Sequence, residues 1–411
     1  MNYKITAPSQ VDAEIALPAS KSITARALVI NALCREPARL SGVAVCDDTD
    51  ALLHGLATLQ GFIDVGPAGT AMRFLTAYPA CQPGHAVVID GDERMRQRPS
   101  KPLVDALRSL GAHIDSPGHD DHAPLHIVGT KLHGGRVTMP GDVSSQFISA
   151  LMMIAPVIGG LEIELTGNIV SAPYIDMTMS VMQHFGIQVQ WNGSEIIVPT
   201  GDYLSSALDI DADWSAASFW MALQALLPAS HITLRGLQPD SWQGDARMLT
   251  FMQQMGLDAH WQGDGRLDLD MSRTACCCCS TFADLNGTPD LAPTLIAALC
   301  LLGRPFRLTG LRTLRHKESD RREALRTELM KIGYVIQIEG DDAVTWHFEN
   351  CPSSAVPAID THGDHRIAMA MALAVTRHQG LIIMEVDVVS KSYPSFWRHL
   401  RAAGFTIDEV N

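Results

Sequence analysis

No stretch of about 18 uninterrupted apolar residues occurs in the 411-residue sequence, so no membrane-spanning helix is expected. The opening residues, MNYKITAPSQVDAEIALPAS, lack an apolar run of about 7 to 15 residues behind a basic start, and a cytoplasmic protein is expected. Basic residues are outnumbered: 31 Lys and Arg against 45 Asp and Glu leave a net charge of −14, which disfavours nucleic acid and anionic membranes as partners. Any anionic ligand must be met by local groups of Lys and Arg. The nine cysteines show neither paired disulfide spacing nor the C-x-x-C spacing of a zinc site. Four of them form one run, Cys276 to Cys279, whose side chains would alternate faces on a strand; they read as reduced packing residues. No G-x-G-x-x-G follows a strand, and ASKS, Ala19 to Ser22, lacks the glycines of a nucleotide-binding P-loop. Aromatic residues are scarce at 6% and charged residues modest at 18%, but 46% of the chain is hydrophobic, enough for compact cores. At this length two or three domains are expected.

One kind of helix start is present six times: a polar or glycine cluster running into a small, apolar helix. The six begin at Ser20, Gly69, Ser144, Asp213, Asp290 and Asp364, spaced 49, 75, 69, 77 and 74 residues apart. Each is followed by a more amphipathic helix, such as PLVDALRSLGAHI or DRREALRTELMKIGYVI, several of them ending in Gly before a strand. Short alternating runs such as LEIELTG and HITLRG stand between them as strands. The first helix type is apolar nearly all round and is expected to be buried, the second to lie closer to solvent. The expected fold is α/β, with two similar domains of three repeated units each, helices inside and sheets outside. The boundaries fall at residues 19–212 for one domain and 1–18 with 213–411 for the other, with a hinge near 18 and 212; the first strand, before Leu17, could pair with either half. If the buried helices aim their N-termini at one cleft, free N–H groups and helix dipoles converge there and suit a polyanion. The plain alternative is that the repeats stack with N-termini outwards.

Several of these starts carry cations or hydroxyls: Lys21, Ser22 and Arg26; Thr70 and Arg73; Ser144, Ser145 and Gln146; His365 and Arg366. For the hydroxyls, helix capping is sufficient explanation, and Ser20, Ser144 and Asp364 read as caps. Capping does not account for Lys21, Arg26 and Arg366, because a cation near a helix N-terminus opposes the dipole unless an anion is bound. RMRQRP, Arg94 to Pro99, and LRHKESDRRE, Leu314 to Glu323, are further basic clusters; each is otherwise a solvated loop or a surface ion-pair run. On a helix, Lys317 and Arg321 would share a face.

The motifs L-P-x-S-K-S-x-x-x-R-A, A-G-T-A-M-R-F-L, R-M-x-x-R-P, G-D-x-S-S-Q-F, S-x-P-Y-I-D-M-T, P-D-x-A-P, K-E-S-D-R, G-D-H-R-I-A-M-A and K-S-Y-P-S-F run in order from Leu17 to Phe396. Together they resemble the 5-enolpyruvylshikimate-3-phosphate synthase family over nearly the whole chain. The resemblance implies two domains of three repeated units closing on ligands at the hinge, the inside-out α/β barrel type. It implies transfer of the carboxyvinyl group of phosphoenolpyruvate to the 5-hydroxyl of shikimate 3-phosphate through a tetrahedral intermediate, with no metal and no cofactor. Carried over position by position, Lys21, Gly69, Arg98, Gln146, Arg321, Arg366 and Lys391 match the residues that hold phosphoenolpyruvate. Ser22, Arg26, Ser144, Ser145, Gln146, Ser171, Asp290 and Lys317 match those that hold shikimate 3-phosphate. Asp290 is implied as base and Glu318 as acid, with Lys21 and Lys391 assisting, and a monomer is expected. At Gly69 a missing Cβ would let a ligand approach the backbone. Two positions depart from the family's pattern: Pro67 and Thr313 stand where Asn is common. The sister activity on UDP-N-acetylglucosamine and a non-catalytic anion-binding relative are the rival readings. The first would carry a reactive Cys near RMRQRP, where none stands, and the second would lack Asp290 or Glu318, which are both present.

Overall fold

The computed structural model describes residues 1–117, 121–272 and 280–410, so the run Cys276 to Cys279 lies outside the described residues. The chain divides into two compact units: Ser20–Ile210, and Met1–Ala19 together with Asp211–Asn411.

In the unit Ser20–Ile210 the inner helices are Lys21–Leu33, Gly69–Ala77 and Ser145–Ile158. Two of them start where a serine side chain accepts a backbone N–H: Ser20 from Ile23 and Ser144 from Gln146. The third ends at Gly159, whose φ of 107° is the left-handed cap that glycine adopts freely. Around them, strands Gln60–Asp64, Ala86–Asp90, Leu125–Val128 and His113–Asp115 form one sheet in that order. Gly135–Pro140, Leu161–Thr166, Glu195–Val198 and Gln190–Asn192 form a second. In both, the first pair is parallel and the remaining pairs antiparallel. The repeated unit is therefore strand, inner helix, parallel strand, outer helix, antiparallel hairpin.

The other unit follows the same rule three times. Its inner helices are Trp214–Leu226, Ala292–Leu301 and His365–Ala372. Every residue of Ala292–Leu301 is buried, and in Trp214–Leu226 all are buried except Ser215. Helices this apolar gain their stability from tertiary burial, about 1.5–3 kcal/mol for each large side chain removed from water. Within this core Gln224 Nε2 donates to the Ser230 carbonyl at 2.7 Å.

The opening strands settle where the sequence left a choice. Asp12–Ala16 pairs parallel with His231–Arg235, and Asn2–Thr6 lies between Leu381–Ile383 and Thr406–Val410, so both belong to the unit that ends the chain. By the repeat rule the strand ahead of Lys21–Leu33 should pair with Leu40–Ser41. That place is taken by Leu208–Asp209, which precedes the fourth inner helix. The two halves have thus exchanged leading strands. The exchange is pinned by the Ala19–Ala212 bridge and the 2.8 Å bond from Asp213 N to the Pro18 carbonyl.

Candidate active site

In the unit that ends the chain, three inner-helix starts meet. Asp290 sits on the single turn Pro289–Leu291 ahead of Ala292–Leu301, Ser215 opens the fourth inner helix, and Arg366 opens the sixth. Arg366 donates to the Asp290 carbonyl at 3.2 Å, to Asp290 Oδ2 at 3.3 Å and to Ser215 Oγ at 3.2 Å. Arg321, only 1% exposed, is the hub: its guanidinium reaches Asp290 at 2.8 Å, Glu318 at 2.8 Å and Asp364 at 2.7 and 3.2 Å. Lys391 lies 2.8 Å from the other oxygen of Glu318, and Lys317 3.0 Å from Asp290. Lys317 and Arg321 do not share a helix face, because the helix begins only at Arg321 and Lys317 is extended before it. Asp320 caps that helix by accepting from Arg322 N, which turns the chain after Glu318 and lets the two cations meet across Asp290 instead.

Burial by itself would raise the Asp290 pKa. Arg366, Lys317 and Arg321 outweigh it and hold the carboxyl well below the usual range, against a smaller opposing push from Glu318. Asp245, which accepts from the Ser215 hydroxyl, shows the reverse balance: burial raises its pKa and Arg366 only partly offsets this.

In the unit Ser20–Ile210 the groups are more separate. Lys21 pairs with buried Asp48 at 2.8 Å. Arg26 is 2% exposed and directs its donors inward, to Thr178 Oγ1 at 2.7 Å, Ser149 Oγ at 3.2 Å, and the carbonyls of Ser22 and Tyr174. Burial lowers its pKa to about 10. Gln146 Nε2 donates to Thr70 Oγ1 at 2.9 Å, so the second and third inner-helix starts touch. Of the basic loop, Arg96 faces outward to Asp90 at 2.6 Å, whereas Arg98 is buried. At Gly69 a β-carbon would meet Arg98 at 2.6 Å and Arg73 at 2.8 Å, so the glycine makes room for two guanidinium groups. Ser145 and Ser171 are buried; Ser171 adopts φ 57° and its hydroxyl does not cap the helix Ala172–His184 that it precedes.

Of the residues singled out from the sequence, Lys21, Ser22, Arg26, Gly69, Arg98, Ser144, Ser145, Gln146 and Ser171 belong to one unit; Asp290, Lys317, Glu318, Arg321, Arg366 and Lys391 form one connected cluster in the other. Sequence reading missed the counterions and supports: Asp48 within CDDTD, Ser215 after Asp213, and Asp245. It took Asp364 for a cap alone, whereas Asp364 both accepts from Arg366 N at 2.9 Å and pairs with Arg321.

Carboxylates interleaved among buried Arg and Lys at helix starts make a cluster whose chemistry suits multiply charged anions. The model of the EPSP synthase (3-phosphoshikimate 1-carboxyvinyltransferase) family matches residues 5–64 and 60–400. A protein of Bacteroides fragilis strain YCH46 called 3-phosphoshikimate 1-carboxyvinyltransferase is 44% identical over 409 residues, covering 99% of each chain. One of the same name from Syntrophobacter fumaroxidans is 36% identical, over 97% of this chain and 98% of its own. The fold is shared with the solved EPSP synthase of Acinetobacter baumannii, with a TM-score of 0.78 at 21% identity, over 99% of this chain and 100% of that one. The chain belongs to the EPSP synthase family. Its activity is transfer of the enolpyruvyl group of phosphoenolpyruvate to shikimate 3-phosphate. Among the described residues no helix is long and apolar enough to cross a membrane.

Proposed function

We propose that the cluster around Arg321 is the proton-transfer and phosphoenolpyruvate half of the active site, with Asp290 as base and Glu318 as acid. The observation that carries this reading is one buried guanidinium joining both acids, with Arg366 and Lys391 against their remaining oxygens and Lys317 sharing Asp290 Oδ1 with Arg321. In the chain alone these charges neutralise one another. Phosphoenolpyruvate brings a phosphate and a carboxylate that compete for Arg321, Arg366 and Lys391. As the cations turn to the ligand, Asp290 loses the interactions that depress its pKa and becomes a better base.

Asp290 then takes the proton of the 5-hydroxyl while its oxygen attacks C2 of phosphoenolpyruvate. Glu318, beside Lys391, delivers a proton to the methylene carbon, giving a tetrahedral adduct. Collapse breaks the C2–O bond to phosphate, which leaves with the proton that Asp290 had taken, while one proton of the new methyl group returns to Glu318 and restores the vinyl group. Lys21, Gly69, Arg98 and Gln146 are assigned to holding phosphoenolpyruvate, and Lys21 also to assisting catalysis. Ser22, Arg26, Ser144, Ser145, Gln146, Ser171 and Lys317 hold shikimate 3-phosphate. Two phosphates and two carboxylates repel strongly once water is excluded, and this number of cations offsets that repulsion.

The test is phosphate release from phosphoenolpyruvate with shikimate 3-phosphate and with UDP-N-acetylglucosamine in parallel, on the parent and Asp290→Ala. Release is expected with the first acceptor only. Turnover should fall by roughly 10²–10⁴-fold in the variant, the usual contribution of a positioned base, while shikimate 3-phosphate binding stays measurable by calorimetry. Parent-like turnover in the variant removes Asp290 from the role of base.

A further inference from the structure

Glu328 is a fully buried carboxylate that no step above uses. Such groups are rare unless paired, and a leucine there would suit a helix side that also buries Leu325 and Leu329. All of its partners lead to one turn. Oε2 accepts from Lys331 Nζ at 2.7 Å and from Asp360 N at 3.0 Å; Oε1 lies 2.9 Å from His362 Nε2. Lys331 reinforces the hold by donating to the Ala358 carbonyl at 3.1 Å. His362 is held at φ 53°, a left-handed conformation rare outside glycine, and its backbone N–H donates to Asp360 Oδ1 at 2.7 Å. Two residues later comes Asp364, then Arg366. The helix Arg321–Lys331 is therefore fastened to the start of the sixth inner helix twice, by Arg321 on Asp364 at its first turn and by Glu328 on the 360–362 turn at its last.

We propose that Glu328 is a positioning residue for phosphoenolpyruvate: by anchoring the 360–362 turn through His362 and Asp360 it sets where Asp364 and Arg366 stand at the start of the sixth inner helix. The proposal rests on the assignment of Arg366 to phosphoenolpyruvate. Glu328 touches no reactant, so its removal loosens the aim of Arg366 and leaves the shikimate 3-phosphate contacts of the other unit untouched.

The test is a kinetic double-mutant cycle on the full chain with Glu328→Gln and His362→Asn. Glutamine keeps the size and loses the charge; asparagine tolerates the left-handed backbone and is too short to reach residue 328. Each variant is expected to raise KM for phosphoenolpyruvate about tenfold, the order for one lost hydrogen bond to a charged group, with KM for shikimate 3-phosphate unchanged. The double variant should be no worse than the poorer single one, because both remove the same contact. Equal rises in both KM values, no rise, or multiplying effects would overturn the proposal. If Glu328→Gln does not fold, His362→Asn alone carries the same split. Arg366→Lys in the same assay separates the two claims. If it leaves KM for phosphoenolpyruvate unaltered, the site assignment fails; if it raises KM while the cycle is silent, only the positioning role fails.

Discussion

Replacing Gly69 with alanine separates folding from function at one atom. The glycine is the first residue of its helix and is not in the left-handed region, so its backbone accepts alanine without strain. The added methyl removes backbone freedom from the unfolded chain and favours the helix by up to about 1 kcal/mol. Its β-carbon, however, would stand 2.6 and 2.9 Å from the terminal nitrogens of Arg98 and 2.8 Å from Arg73 Nη1, where ordinary contact begins at 3.4 Å. Arg98 must withdraw by about 0.8 Å. Arg73 is less able to yield, since it donates to the Gly69 carbonyl at 3.0 Å and rests over the Phe147 ring at 5.8 Å. Both neighbours are side-chain ends, so the fold tolerates the change and the displaced charge takes the loss. A misplacement near 1 Å in a group that positions a reactant costs up to about 100-fold, and KM for phosphoenolpyruvate should rise by about 10- to 100-fold. Initial rates of phosphate release, with each substrate varied against saturating amounts of the other, give the two KM values; calorimetry gives Tm. Unchanged KM for phosphoenolpyruvate at a retained Tm would refute the claim that Gly69 keeps Arg98 in place.

Two further outcomes follow from the Arg321 cluster. Arg321→Met leaves Asp290, Glu318 and Asp364 without their shared partner and should cost about 3–5 kcal/mol in a urea titration; parent-like stability would mean that the three carboxylates are not held by that side chain. Because the folded-state pKa of Asp290 is depressed, its stabilising contribution is fully present above the unfolded value near about 4 and is lost as pH falls through the folded value. Asp290→Asn should therefore lower the urea midpoint at pH 6 and lose less than the parent between pH 6 and pH 3.5, whereas parallel acid profiles would contradict the assigned shift.

What the sequence made legible was local. The six inner helices announce themselves through short polar starts and small apolar bodies, and the helix positions of Lys21, Gly69 and Arg366 follow from them. Asp290 and Arg321 were readable as chemistry because their types sit inside motifs that resemble a family. Their mutual contact was not, since residues 31 apart meet only through a cap at Asp320 and the packing of two helices. Lys317 was misplaced for that reason: helical spacing was assumed across a segment that is extended. Asp48 and Asp245 were invisible because an acidic residue in an acidic chain gives no local sign that a distant cation selects it. The exchange of leading strands was left open because Asp12–Ala16 and His231–Arg235 pair over more than half the chain, and alternation alone does not choose a partner.

That exchange also sets an order of assembly during synthesis. Residues 20–210 leave the ribosome as one continuous stretch and contain every strand their sheets require. Residues 2–6 are made before that stretch and must wait for 381–383 and 406–410, made after it. At about 5–20 residues per second this delay is roughly 20–80 s, during which the opening strand carries two unpaired edges. A strand translated ahead of residues 20–210 is thus seated only after them, and shielding it during that interval would change the yield of folded chain more than its final stability.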